Sequence, residues 1–201
     1  MADLVDYSGK FKPNLKYEDF SKDTLVKLLY EYARTTNVLD GEYTTEIMTR
    51  HGQKEALDSQ YKVWERHGPR VMKWIKNTLH IQGDDVPTYF KCLQMVPSFS
   101  PEHYDIKWEV KSPEHGIITV TRCKFLEEME KQGSGFEKLI CRESEPASFR
   151  MLAKAINPNM VVTPLKLPPR KGKDEIACQF EYKVESKTLK SGKNSKGGRN
   201  G

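Results

Sequence analysis

The chain has 201 residues, of which 37% are hydrophobic and 30% are charged. This length and composition are typical of a soluble globular protein with one sizeable core. No apolar run approaches the roughly 18 residues that a membrane span needs, and residues 1–6 carry early acids without the apolar segment of a secretory signal. We therefore expect a cytoplasmic protein that does not contact a membrane.

The net charge of +5 comes from the C-terminal residues 186–201. Taking the five basic residues of this stretch from the total of 33 leaves 28, against 28 acidic residues, so the body of the chain is neutral. Because Ser, Gly, Asn and Lys dominate the stretch, it is predicted to be a disordered basic tail. Nucleic acid is therefore an unlikely partner beyond weak tail contacts, and no pattern indicates an oligomeric state.

Residues 1–100 are predicted to form a helical subregion. Ser21 is a plausible N-cap, and apolar residues then recur at the spacing of one buried helix face. Asp40-Gly41 is predicted to end this helix, and a second, shorter helix is predicted to end near His51-Gly52. The residues of the buried face are Leu25, Leu28, Leu29, Tyr32 and Ala33.

Two further helix boundaries are predicted in the same subregion. A third helix begins near Gln53, and Gly68-Pro69 is expected to break or kink it, because proline lacks a donor and clashes with the preceding turn. Asp85 before Val86-Pro87 has the pattern of an N-cap followed by an early proline, which predicts a new helix.

Residues 101–185 change to the period of strands. Apolar and charged residues alternate over 104–111, and a turn at 112–116, with an exposed His115, leads to a second strand at 117–121. Two more strands are predicted at 160–167 and 176–184. The fold class is therefore α+β: a helical N-terminal part packed with a C-terminal four-stranded antiparallel sheet and helices. Because no linker separates the parts, we expect one continuous unit.

Cys123 lies where a strand is predicted to become a helix. The first N–H groups of that helix and its dipole would favour a thiolate and lower the thiol pKa, and the adjacent Arg122 would add to this effect and could bind substrate. A thiolate serves as a nucleophile or as a metal ligand. The alternative is a small buried hydrophobic residue at the end of a strand.

Cys141 precedes a helix for which Ser144 is the predicted N-cap. Glu143 and Glu145 follow it closely, and they could orient a base, bind a metal, or favour the helix N-terminus electrostatically. No two cysteines have C-x-x-C spacing, so reduced thiols are expected.

Cys178 lies on the apolar face of the last strand, which places it in the core or in an interior pocket. If the two strand pairs stack, Cys123, Cys141 and Cys178 could converge. Three thiolates with a Glu or a His would bind zinc or another soft metal. The separations along the chain do not decide between a metal site and a core.

The sequence resembles the L-2-amino-thiazoline-4-carboxylic acid hydrolase-like family over roughly residues 35–184. The upstream match consists of Asp40-Gly41 and the stretch RHGQKEALDSQYKVWERHG. The downstream matches are Cys123-Lys-Phe-Leu-Glu, Cys141-Arg-Glu-Ser-Glu, Asn157-Pro158 and Cys178-Gln-Phe. The C-terminal part is also faintly similar to the vinyl-reductase-type small-molecule-binding domain.

The resemblance implies a hydrolase that adds water to a cyclic C=N carbon of a thiazoline and opens the ring. Cys123 would then be a nucleophile or metal ligand, and Glu145 the general base that activates water. Cys141 and Cys178 would shape the pocket or complete a metal site. The alternative is a sensor or binding module whose cysteine-lined pocket holds a small ligand or a metal without catalysis.

Overall fold

The computed structural model describes residues 3–133 and 135–185, so the predicted tail at 186–201 lies outside the described residues. The fold is α+β, as predicted: a helical N-terminal part packs with a four-stranded antiparallel sheet and its helices. In chain order the elements are α1 (Lys22–His51), α2 (Gln53–Thr78), α3 (Val86–Leu93), β1 (Tyr104–Ser112), β2 (His115–Cys123), α4 (Lys124–Gln132), α5 (Glu137–Leu139), α6 (Glu145–Ile156), β3 (Met160–Lys166) and β4 (Cys178–Val184).

Helix α1 begins where the sequence predicts but continues further. The Ser21 hydroxyl accepts a hydrogen bond from the Thr24 N–H at 3.3 Å, which confirms the N-cap. The predicted end at Asp40-Gly41 is wrong, because α1 runs through both residues to His51. A glycine inside a helix costs only about 1 kcal/mol relative to alanine, and Asp40 accepts a hydrogen bond at 2.9 Å from Gln60 on α2.

Helix α2 likewise continues through Gly68-Pro69, so the predicted break is wrong. The physical reason is packing against α6. Gly68 is buried, and a Cβ at this position would lie 2.9 Å from Leu152 Cδ2 and 3.3 Å from Met151 Cε. The missing side chain lets the two helices approach closely, and this contact supports α2 where proline removes a backbone hydrogen bond.

Four antiparallel strands form the sheet in the order β1-β2-β4-β3. Helix α3 begins at the predicted cap, where Asp85 Oδ1 accepts from the Thr88 N–H at 2.9 Å. His115 belongs to β2 and not to the preceding turn, which corrects the prediction. Its backbone pairs with Lys183, and its Nε2 lies 2.9 Å from Glu181 Oε1 on the neighbouring strand.

Both edge strands have irregular pairing. The β1–β2 register shifts between Asp105 and Ile106, because Asp105 pairs with Arg122 while Ile106 pairs with Val120. Thr121 is therefore an extra residue in β2, and its hydroxyl donates to the Asp105 carbonyl at 3.0 Å. The β3–β4 register shifts after Pro164 in the other edge strand.

The region around Cys141 is more helical than predicted. A π-helical turn, Ile140–Ser144, joins α5 to α6. The predicted N-cap at Ser144 is wrong, because its backbone is helical (φ −70°, ψ −50°) and its side chain makes no capping hydrogen bond. Cys141 thus lies inside a helical segment. The predicted end of that segment is confirmed, since α6 stops before Asn157-Pro158.

The main core lies between the sheet, α3 and α6, with part of α2. Among the described residues of α1, only Ala33 is fully buried, so α1 contributes little to this core and instead covers a cavity. Over residues 3–133 and 135–185, no helix has both the length and the hydropathy that a bilayer crossing requires. The largest fully buried side chains include Tyr89, Tyr182, Phe180, Met72, Leu93 and Ile118.

Candidate functional site

A cavity of about 430 Å³ lies between the α1–α2 hairpin on one side and the sheet, α4 and α6 on the other. This volume is in the usual range of small-molecule sites, which are mostly apolar with a few convergent polar groups. Its lining is rich in aromatic side chains. They are Tyr61, Trp64, Phe99, Tyr104, Phe125, Phe136, Phe149 and Phe180.

Three of the four cysteines line this cavity. Cys123, Cys141 and Cys178 lie close enough that their charges would repel one another, and this contributes to raising the thiol pKa of Cys141 and of Cys178. All four cysteines are free, and Cys92 is buried away from the cavity in the main core. The structure therefore brings together the three thiols that the sequence singles out.

Cys123 lies at the predicted helix start, but its chemistry differs from the prediction. Its Sγ accepts a hydrogen bond from the Leu126 N–H at 3.4 Å at the N-terminus of α4. The predicted lowering of its pKa is wrong: burial, together with the nearby Glu145 carboxyl, raises the pKa of Cys123 to about 11. The free-energy cost of removing the thiolate from water exceeds its stabilisation by the helix N-terminus. The thiol is therefore protonated at neutral pH.

The extra residue Thr121 in β2 determines which side chains reach the cavity. Val120 and Cys123 are three residues apart, and both line the cavity because the bulge shifts the alternation of the strand. Arg122 consequently lies outside the lining. Its Nε is 3.4 Å from Glu127 Oε1 and its Nη1 is 3.9 Å from Asp105 Oδ2. The predicted substrate-binding role of Arg122 is therefore not supported by its position.

The three thiols do not form a metal centre. Within the described part of the chain, no group of three or more His, Cys, Asp or Glu side chains is arranged to hold a metal ion. This geometry does not support the predicted zinc or soft-metal site at these cysteines.

Glu145 is the carboxyl group whose charge helps to raise the pKa of all three thiols. Burial raises its pKa to about 7, and the Asp40 carboxyl of α1 adds to this effect. Glu145 lines the cavity, and no hydrogen bond or ion pair to another described residue holds its carboxyl. It can therefore exist in both protonation states near neutral pH, as a general acid or base requires.

Sequence reasoning missed the polar residues that α1 contributes. The side-chain amide nitrogen of Asn37 is fully enclosed and has no hydrogen-bond partner, and Asn37 and Asp40 both line the cavity. The signal was present as a small and polar stripe at helical spacing. This stripe consists of Asn37, Asp40, Gly41, Thr44 and Thr45.

Sequence reasoning also missed Arg170, which anchors the loop between β3 and β4. Its side chain is only 3% exposed and forms a two-pronged pair with Glu130 of α4, with the Nε donor at 3.0 Å from Oε1. It also donates to the carbonyls of Lys173 and Glu175, at 3.3 Å and 3.4 Å. Pro168 and Ala177 of this loop line the cavity, so Arg170 positions one of its walls.

Residues 18–184 match the model of a family of unknown function, DUF6125. No curated protein and no solved structure matches the sequence, so the resemblance to the thiazoline-carboxylate hydrolases stays a prediction. The family match spans the helical hairpin, the sheet and every element that lines the cavity. The chain therefore belongs to the DUF6125 family.

Proposed function

We propose that the protein binds a small, largely apolar organic molecule in the cavity between the α1–α2 hairpin and the sheet. The observation that carries the proposal is the cavity itself: about 430 Å³, with a mainly apolar wall rich in aromatic side chains and with polar residues on one side from α1. Native interiors are packed as densely as organic crystals, so a space of this size in a folded domain is typical of a ligand site.

The polar groups of the cavity converge from facing helices. Asn37 and Asp40 come from α1, and Glu145 comes from α6. The enclosed Asn37 amide has an unused donor, and a buried polar group without a partner costs free energy that a ligand would recover. These three side chains would orient a polar group of the ligand while the aromatic rings contact its apolar body.

Gly41→Trp is expected to weaken binding of the neutral fluorescent probe N-phenylnaphthylamine by at least about tenfold. Gly41 lines the cavity, and a Cβ built there meets no heavy atom within 4 Å, so the backbone accepts a side chain at this position of the wall. Probe fluorescence measured against protein concentration gives the dissociation constant.

Two variants control for this experiment. Gly41→Ala should keep probe binding and stabilise α1 by about 0.5–1 kcal/mol, because alanine is the better helix former. Val38→Trp places the same bulk at an exposed position of α1 that does not line the cavity, and it should bind the probe like the wild type. Equal binding by wild type and Gly41→Trp would contradict the proposal.

Hydrolysis of a C–N bond in the bound molecule is a second candidate function. The pKa of about 7 at Glu145 supports it, because this value suits a general base that activates water near neutral pH. The raised pKa of Cys123 disfavours a thiolate nucleophile. In this candidate Glu145 activates water, and Cys123, Cys141 and Cys178 only shape the cavity.

This route requires an unreactive Cys123. The pKa of Cys123 is about 11, against an ordinary value of 9.0, so a smaller fraction of this thiol is in the reactive thiolate form. We expect iodoacetamide to alkylate it about a hundredfold more slowly than in the urea-unfolded chain, which is the matched control. Peptide mass spectrometry at about pH 8 measures both rates. Hydrolysis of an aminothiazoline substrate should be lost in Glu145→Gln and retained in Cys123→Ala. Rapid alkylation of Cys123 with loss of turnover in Cys123→Ala would instead make it the nucleophile.

A further inference from the structure

The charged groups of the cavity all have one sign. Among the described residues that line it, three carry carboxyl groups, and none is a Lys, Arg or His. An anionic ligand would therefore enter a low-dielectric space without a counter-ion, which is strongly unfavourable. The three carboxyl groups belong to Asp40, Glu128 and Glu145.

The three carboxyl groups differ in what they contact. Glu128 is exposed and pairs with Lys131 at 3.2 Å. Asp40 accepts a hydrogen bond from Gln60 at 2.9 Å. Glu145 is partly buried and has neither a hydrogen bond nor an ion pair with another described residue. Glu145 is thus the acidic group of the cavity that is left to pair with a ligand.

Two arginines beside the cavity pair with carboxylates that do not line it. Arg122 pairs with Glu127 and Asp105 outside the lining, and Arg170 pairs with Glu130 behind the wall. Neither can reach into the cavity without breaking these contacts. Among the described residues, no basic side chain lines the cavity, and none is among the groups that shift the pKa of Glu145.

We infer that the cavity selects an organic cation, such as a protonated amine or an amidinium group on an apolar body, with Glu145 as its counter-ion. This inference rests on the proposed binding function and specifies its ligand class. A charge-assisted hydrogen bond to an otherwise unpaired carboxylate is stronger than a neutral one. The aromatic lining adds to the selection, because aromatic rings attract cations.

The state of Glu145 governs the charge of the cavity near neutral pH. Burial raises the pKa of Cys123, Cys141, Cys178 and Tyr104, which line the cavity, so these groups stay neutral. The other lining carboxyl groups are those of Asp40 and Glu128. Cation binding should therefore strengthen as pH rises through about 7, where Glu145 ionises.

Competition with N-phenylnaphthylamine tests the inference on the full chain. Three competitors share one ring system and differ in charge: naphthylmethylammonium, naphthylmethanol and naphthoate. We expect the cation to bind at least about tenfold more tightly than the anion at about pH 8, with the neutral alcohol between them. The preference should fall about tenfold by about pH 6 and be lost in Glu145→Gln, while Glu128→Gln keeps it.

The outcomes separate this inference from the proposed function. If the probe binds and Gly41→Trp blocks it, but the three competitors displace it equally, the cavity is a ligand site without charge selection and the inference is wrong. Tighter binding of naphthoate would also overturn it. If the probe does not bind the wild type, or binds Gly41→Trp equally well, the proposed function itself fails.

Discussion

Replacing Glu145 with Gln is expected to stabilise the protein by roughly 3 kcal/mol at about pH 8, and to change its stability little below about pH 4.5. The pKa of Glu145 is about 7 in the folded chain, against an ordinary value of 4.5. The folded state favours the protonated carboxyl. The contribution of Glu145 to the free energy of unfolding is therefore fully present below about pH 4.5 and is lost as pH rises through about 7. One pKa unit corresponds to about 1.4 kcal/mol, which sets the size of the effect.

Urea unfolding of both proteins between about pH 4 and pH 8 measures this difference. Glutamine has nearly the same shape and carries no charge, so the two curves should diverge only as the carboxyl ionises. Glu128→Gln is the matched control, because this exposed cavity residue is already paired with Lys131. Parallel curves for wild type and Glu145→Gln would mean that Glu145 titrates like an exposed carboxyl.

Arg170→Ala is expected to lower the free energy of unfolding by about 3 kcal/mol or more. The Arg170 side chain is 3% exposed and ties the loop before β4 to Glu130 of α4. Arg170→Ala removes the charge-assisted hydrogen bonds to Glu130 and those to the Lys173 and Glu175 carbonyls, and a hydrogen bond to a charged group contributes roughly 1.5–3 kcal/mol. Because Pro168 and Ala177 line the cavity, the variant should also weaken binding of N-phenylnaphthylamine.

Arg122→Ala is the matched control for this variant. Arg122 also pairs with two carboxylates, but its side chain is 41% exposed. Solvent screens such pairs, so its loss should change stability by less than about 1 kcal/mol. Chemical unfolding at fixed pH compares the two variants directly. An equal loss of unfolding free energy in both variants would show that burial of the Arg170 side chain does not increase its contribution to stability.

The hydrophobic pattern of the sequence is sufficient to predict the order and type of most elements, but not the continuity of the helices. The α+β class and the four antiparallel strands follow from the change of period near residue 101, and the caps at Ser21 and Asp85 are local signals. Gly41 and Pro69 are also local signals, yet both lie inside helices. There, contacts between α1 and α2 and between α2 and α6 outweigh the local preference.

The candidate site also has features that the sequence predicts and features that depend on tertiary packing. Cys123, Cys141 and Cys178 were identifiable as a set because cysteines are few, and strand parity placed Cys178 inward. The pKa of Cys123 was not predictable, because it depends on burial by α4 and on Glu145. The bulge at Thr121, which turns Cys123 inward and Arg122 outward, is a property of the pairing with β1. The polar stripe of α1 is visible in the sequence, but only the packing of α1 against the rest of the fold shows that this stripe borders a cavity.

The irregular edges of the sheet affect how separate molecules meet. A regular edge strand offers free N–H and C=O groups that can pair with another chain and start aggregation. In β3, Pro164 has no N–H to offer, and the pairing is irregular beside it. At the other edge, β1 carries Lys107 and Lys111 and pairs with a bulged partner that increases its twist. Neither edge presents a long, flat template, so the sheet resists extension by strands of a second copy.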